Sequence, residues 1–338
     1  MQKGQGAGGK PLRAIVPVAG FGTRLRPHTY TVPKALMPVA GKPILGHILD
    51  ELIGVGVEEV VLVVGHLGEK IETYVRGNYR ISAHFVRQEQ PLGNGHAIYV
   101  AREFLRAEPL LIMLGDTIFR GDFAPVLRSN VSLIGVREVP DPRRLGIVEL
   151  DGDGFVRRFV EKPERPTSNL AITGVYFLRN SALLRRCLER LVDEDHRVRG
   201  EYWLADALQF YVDAGERVRT FPVEGWYDCG TPDALLEANR ALLDVLNPTP
   251  QDIAGAVLYP PVAIAPTATI EESVIGPHVS IADGARVVRS VVRNSIVNRN
   301  ATVEHVVLDG SLIGEGAYLE GRPTRVNLGD DSEIQMGI

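Results

Sequence analysis

The sequence predicts an α/β protein: a Rossmann-like domain with a mostly parallel sheet, followed by a short left-handed parallel β-helix. Three observations carry that expectation. Between residues 12 and 116, short apolar runs alternate with segments of helical periodicity, the pattern of parallel strands joined by helices. The first run, Ala14 to Val18, ends in a turn bearing Gly20 and Gly22. Beyond residue 257, aliphatic residues recur about every sixth position among small, Gly, Asp and Pro residues, the signature of a stacked repeat.

Residues 1–11, opening MQKGQGAGGK, contain no apolar segment and read as a flexible tail rather than a signal peptide. After the glycine turn, Pro43 opens a helix in which Ile44, Leu45, Ile48, Leu49, Leu52 and Ile53 share one face, and Gly54 and Gly56 stop it. Strands are expected at 60–64, 82–87 and 110–114, with helices at 68–76 and 94–105 between them. From Val131 the runs VSLIGVREV, GIVEL, FVRRFVEKP and LAITGVYFL are strand-like with few helices, and read as a second half of the same domain laid over the sheet rim. Helices follow at 181–191, 201–214 and 232–246, with a strand at 217–222 and the turn GWYDCGTP. The breakers Asn247-Pro-Thr-Pro250 mark a linker over 247–256. The repeat then runs over 257–330, through Ile264, Ile270, Ile275, Ile281, Val287, Val292, Val297, Val303, Leu308, Ile313 and Leu319, enough for about four turns. The first domain thus spans 12–246.

At 338 residues the chain is long enough for two domains. Hydrophobic content of 45% and charge of 23% are ordinary for a soluble globular protein. A net charge of −5 gives no basic footprint, which argues against nucleic acid as a partner. No apolar run approaches a membrane span. Two cysteines, Cys187 and Cys229, make no disulfide framework, and a cytoplasmic location is the simplest home for them.

In open α/β sheets, ligands bind beyond the carboxyl ends of the strands. Gly20, Gln88 and Asp116 each follow a strand closely, so all three belong on one rim. The turn Ala19-Gly20-Phe21-Gly22-Thr23-Arg24 suits a phosphate: glycines let backbone N–H groups approach an anion, and Arg24 neutralises it. It is not a dinucleotide fingerprint, because Leu25 stands at the third glycine, nor a Walker loop, because Gly-Lys-Ser/Thr is absent.

The string G-x-G-T-R-L-R-P after a strand, followed by Pro33-Lys34-Ala35-Leu36-Met37-Pro38-Val39, resembles the signature of the sugar-1-phosphate nucleotidyltransferases. The region RGEYWLADALQ, with GWYDCGTPDALLEANR after it, is similar to the long glucose-1-phosphate thymidylyltransferase-like members. It departs from them at Tyr202-Trp203, where Leu-Glu is usual, and at Cys229, where Thr is usual. The resemblance implies transfer of a nucleotidyl group from an NTP (dTTP or UTP favoured) to a sugar 1-phosphate (glucose 1-phosphate favoured), releasing pyrophosphate. It implies a nucleotide site of Ala19, Gly20, Gly22, Thr23, Arg24, Gln88, Leu92 and Gly93, in which the Gln88 amide pairs with the base through one donor and one acceptor. It assigns catalysis to Arg24, Lys34 and Asp116, and a Mg²⁺ ion to Asp116 and Asp228. Gly146, Glu161, Lys162, Thr173, Gly174, Tyr176 and Trp226 match its sugar-phosphate positions. The β-helix implies a homo-oligomer.

Alternatives stay open at this level. A mannose-1-phosphate guanylyltransferase shares the two-domain plan. So does a non-catalytic regulatory subunit, although such a chain should lack the acidic pair or the lysine. A β-helix acetyltransferase would need a base, for which His278 and His305 are the available histidines.

Overall fold

The structure, a computed structural model, describes residues 12–248 and 252–322. The expected tail, the middle of the linker and the last positions of the expected repeat lie outside the described residues. The chain divides into two compact units, Met1–Ala238 and Asn239–Ile338.

The first unit begins with β1 (Arg13–Pro17), α1 (Ile44–Gly54), β2 (Glu59–Val64), α2 (Gly68–Asn78), β3 (Ser82–Arg87), α3 (Asn94–Val100) and β4 (Leu110–Met113). β5 (Thr117–Arg120), β6 (Ser132–Glu138), β7 (Gly146–Leu150), β8 (Val156–Glu161) and β9 (Leu170–Leu178) follow. α4 (Ser181–Asp193), α5 (Leu204–Asp213), β10 (Val218–Pro222), β11 (Gly225–Asp228) and α6 (Pro232–Leu246) complete the series. One nine-stranded sheet runs β8-β7-β9-β4-β1-β2-β3, with β6 paired to β9 and β10 to β6. β4-β1-β2-β3 is the parallel Rossmann-like core, buried because helices cover it. Ile15, Val61, Ile112 and the α3 residue Ile98 are fully buried within it. On α1 the expected stripe is buried, but Ile53 is 42% exposed.

Three expectations are corrected. The strands of 132–178 do not form a separate layer over the rim; β9 pairs antiparallel with β4 and carries β6 and β7, so they extend the same sheet. α3 ends at Val100, and Arg102–Phe104 is a tighter 3₁₀ turn. α5 starts at Leu204 rather than Glu201. There Tyr202 N–H donates to the Leu92 carbonyl (2.8 Å), and the Asn94 carboxamide accepts from Leu204 N–H (2.8 Å). Those bonds hold Glu201–Trp203 extended against the start of α3.

In the second unit, three four-stranded parallel sheets stack as a left-handed parallel β-helix. Its core is Ile270, Ile275, Ile281, Val287, Val292, Val297 and Val303, all expected, with Val262, Val279, Ala285 and Ala301 added. The coils are tighter than hexapeptides require. Stacked partners Thr269, Arg286, Thr302 and Tyr318 lie 17, 16 and 16 residues apart, against about 18 for three hexapeptides. Buried serines close the shortened corners. Ser273 Oγ accepts from Ser290 N–H (3.1 Å), and Ser290 Oγ from Val306 N–H (3.2 Å). Within the second unit, Asn239 Nδ2 donates to the His278 carbonyl (3.2 Å) and His278 Nε2 to Asp244 (2.8 Å).

Candidate active site

Strand ends converge on one rim. Gln88 N–H donates to the Val64 carbonyl (2.8 Å) at the end of β2, and Gly115 N–H donates to the Pro17 carbonyl (3.1 Å) at the end of β1. A cavity of about 420 Å³ opens there. Ala19, Gly20, Gly22, Thr23 and Arg24 line one wall. Lys34, Gln88, Gly93 and Asp116 line the cavity too, as do Asn94, Glu201, Trp203 and Gly230. A Cβ on Gly20 would meet nothing within 4 Å, so the loop is open to a bulky anion. Gly22 sits at φ 61°, a left-handed conformation that starts the turn Thr23–Leu25 and suits glycine.

Lys34 is buried and its Nζ donates to Asp116 Oδ2 at 3.0 Å. The Asp116 side chain is half exposed toward the cavity. Burial opposes its charge, but Lys34, Thr117 and Arg24 together outweigh that and hold the carboxyl below the usual range. Asp116 is therefore a carboxylate at neutral pH.

Asp228 arrives from the far end of the unit. β11 pairs antiparallel with β5, setting Asp228 opposite Thr117, and Cys229 N–H donates to the carbonyl of Asp116, the residue before β5 (3.3 Å). A Cβ on Gly230 would lie 2.7 Å from Arg24 Nη2 and 3.0 Å from Asp228 Oδ1. Arg24, Asp228 and the cavity thus meet around Gly230. Two carboxylates, one half exposed and one exposed, form an oxygen-only donor set that fits Mg²⁺, which takes one or two carboxylates plus phosphate oxygens. Cys229 between them is fully buried, and burial pushes its thiol well above the usual range, so it packs rather than reacts.

None of the sugar-phosphate candidates lines the cavity; Lys162 and Gly174 touch its lining residues Trp203 and Leu114. Gly146 lies opposite Glu161 in the β7–β8 pair. A side chain at 146 would strike the Glu161 carboxylate, 2.8 Å from its Cβ position. Burial, aided by Asp206 and Glu201 against the opposing Lys162, pushes Glu161 up to about 7. Lys162 Nζ sits 3.7 Å from Glu161 and 3.8 Å from the centre of the Trp203 ring. Tyr176 is buried; burial first, then the charges of Glu161 and Asp116, raises its phenol. Thr173 and Gly174 fall where the β9–β6 register shifts, and the Gly174 carbonyl accepts from Leu114 N–H (3.0 Å). Thr173 Oγ1 and Trp226 Nε1 are enclosed polar atoms without a protein partner, and neither residue lines the cavity. Leu92 does not line the cavity; its carbonyl is taken by Tyr202 N–H.

Glu201, Trp203, Asn94 and Gly230 were not singled out from the sequence. The signal for Trp203 was its departure from the usual Glu. Its indole Nε1 donates to the Val198 carbonyl (3.0 Å), fixing the ring at the cavity wall.

The sequence profile of the nucleotidyl transferase family matches residues 13–245. The chain belongs to that family. It is 32% identical to a glucose-1-phosphate thymidylyltransferase of Streptomyces griseus, across 96% of this chain and 99% of that one. It is 33% identical to the bifunctional protein GlmU of Methanococcus vannielii, across 97% of this chain and 84% of that one. Among solved structures, a UDP-glucose pyrophosphorylase superposes with a TM-score of 0.62 over 70% of this chain and all of that one, at 24% identity, a likeness of fold. The chain is thus a sugar-1-phosphate nucleotidyltransferase.

Proposed function

We propose that the protein joins a nucleotidyl group from dTTP or UTP to glucose 1-phosphate, releasing pyrophosphate. The observation that carries this reading is the Lys34–Asp116 pair set beside Arg24 at a glycine cradle, with Gln88 across the same cavity. The similarity to a thymidylyltransferase over nearly the whole chain supports the pyrimidine and the glucose.

In this reading a sugar-phosphate oxygen attacks the α-phosphorus, and the bond to the pyrophosphate oxygen breaks. Such transfers depend on positioning and charge neutralisation rather than covalent catalysis. The backbone of Gly20, Gly22 and Thr23 cradles the triphosphate, and Arg24 neutralises charge as it develops. Lys34 holds Asp116 ionised and adds a second cation. Glu161 and Lys162 receive the sugar hydroxyls and its phosphate, with Thr173, Tyr176 and Trp226 around them. Asp116 and Asp228 would hold Mg²⁺, which supplies Lewis-acid stabilisation of phosphoryl oxygens when bound.

The test is pyrophosphate release with Mg²⁺, glucose 1-phosphate and each of dTTP, UTP, ATP, CTP and GTP. Turnover with dTTP or UTP is expected, and its loss in an Asp116→Asn, Asp228→Asn double variant. Turnover with GTP alone would replace the reading with guanylyl transfer to mannose 1-phosphate. Silence with every nucleotide and sugar phosphate would leave a regulatory subunit. The buried free cysteines fit a cytoplasmic setting, and no described helix is long and apolar enough to cross a membrane. We also propose a homo-oligomer formed through the β-helix, which exposes Val257, Tyr259, Val307 and Tyr318. Sedimentation equilibrium should give a multiple of 37.0 kDa; a single-chain mass at micromolar concentration refutes it.

A further inference from the structure

Gln88 is buried, and its Nε2 lies 3.2 Å from the Gly93 carbonyl and 3.0 Å from His96 Nδ1. A carbonyl only accepts, so the amide must turn its nitrogen toward Gly93. Reversing it would set two oxygens against each other. With the NH₂ so placed, His96 Nδ1 has to accept, and the imidazole proton sits on Nε2. Both N–H groups are then committed inside the protein, and no described residue donates to Oε1. The donor-plus-acceptor pairing expected from the sequence is therefore closed: the amide offers an acceptor alone.

The arrangement is held from several sides. Gly93 stands at φ 100°, and a Cβ there would lie 2.5 Å from the Tyr202 carbonyl. The His96 ring stacks on Tyr202 with centroids 6.1 Å apart and 25° between planes, and Tyr99 lies 6.0 Å away. Burial, then the charge of Arg197, lowers the His96 pKa, in keeping with an accepting imidazole.

We propose that His96 is a positioning residue that, with the Gly93 carbonyl, locks the Gln88 amide so that only its oxygen faces the base, selecting bases that present a ring N–H there. This rests on the nucleotide reading of the cavity given above. Thymine and uracil carry N3–H between two carbonyls. Cytosine carries a lone pair at N3, which a fixed oxygen repels. The preference arises from a rigid acceptor that cannot rotate to suit the wrong base.

The experiment is the ratio of kcat/KM for dTTP over dCTP, with glucose 1-phosphate and Mg²⁺, in the wild type, His96→Phe, His96→Asn and Gln88→Leu. His96→Phe keeps a ring against Tyr202 but removes the acceptor of one amide N–H, leaving the Gly93 carbonyl alone to hold the group, and the ratio should fall about tenfold or more. His96→Asn returns an accepting oxygen near the Nδ1 position and should restore the ratio to within about threefold of wild type. Gln88→Leu should abolish the preference. N3-methyl-dTTP should be a poor substrate for the wild type. Equal losses for both nucleotides in His96→Phe would reduce His96 to packing and overturn the proposal. So would a wild type that uses N3-methyl-dTTP as well as dTTP, or an unchanged ratio in Gln88→Leu. A wild type inert with every nucleotide overturns the underlying functional reading as well, whereas dTTP turnover with an unchanged ratio in His96→Phe overturns this proposal alone.

Discussion

At the scale of single residues, the most informative group is Glu161. Its carboxyl, pushed up to about 7 by burial, changes charge inside the working pH range. The sign follows from the raised value. Below the ordinary carboxylate range Glu161 is protonated folded or unfolded. Between that range and about 7 only the folded chain keeps the proton, so the group contributes stability at acid pH that is lost as pH rises through about 7. Binding runs the other way. A carboxylate accepts hydroxyl hydrogen bonds more strongly than a neutral carboxyl, so the KM for glucose 1-phosphate should fall severalfold as pH rises from 6 to 8. The substrate phosphate also titrates near 6, so Glu161→Gln is the reference: its KM should lie close to the wild type's at acid pH, exceed it above about 7, and follow only the substrate's titration. A wild-type profile parallel to that of the variant would remove Glu161 from sugar binding. Lys162 belongs to the same problem. Its ammonium rests over Trp203 in the described state, a contact worth about 0.5–2 kcal/mol that a sugar phosphate must exceed to draw it away.

At the scale of elements, the β5–β11 pair decides whether the acidic residues can act together. Thr117 and Asp228 are paired partners 111 positions apart, and nothing local in TIFR or GWYD announces their pairing. This is where sequence reading stops. β3, β7, β9 and α6 were legible to the residue because their apolar periodicity is local. The rim position of Gly20, Gln88 and Asp116 was legible because parallel strands share a direction. The extended Glu201–Trp203 segment was not, because its conformation comes from Leu92 and Asn94, more than a hundred positions upstream, overriding a helix-like local pattern. The Gln88–His96 bond was hidden too, since it depends on Gly93 turning the loop back. The turn after β11 yields a direct test. Gly230→Ala sets a methyl 2.7 Å from Arg24 Nη2, the end of a flexible side chain. The guanidinium should move and the fold should not. The expected result is a kcat lowered about tenfold to a hundredfold, with a melting temperature within about 2 °C of wild type. A loss of activity matched by a large fall in melting temperature would mean that Gly230 serves the fold instead.

At the scale of the whole molecule, the chain divides its labour. Every residue lining the cavity lies between Pro17 and Gly230, inside the first unit. The second unit is a stack of four coils whose interior is aliphatic and whose corners are buried serines. Its two histidines do not look like bases in waiting. His278 is tied to Asp244 at 2.8 Å, and its backbone bonds run to Asn239 and Pro261. His305 sits at φ 57° on the outside of a corner, within 4.8 Å of Glu304 and Glu320, and Glu304 and Glu320 are themselves engaged by Arg286 and Tyr318. No coil among the described residues departs from the 16- to 17-residue spacing of the stack, so none carries the inserted loop that a second substrate would need to be enclosed. We propose that the β-helix serves structure or association. A His278→Ala, His305→Ala double variant should keep nucleotidyl transfer within about twofold of wild type, and neither protein should consume acetyl-CoA when offered amino sugar 1-phosphates. Acetyl transfer by the wild type that the double variant lacks would make the second unit an enzyme in its own right. The similarity to a bifunctional relative over 84% of its length is the reason to run that control.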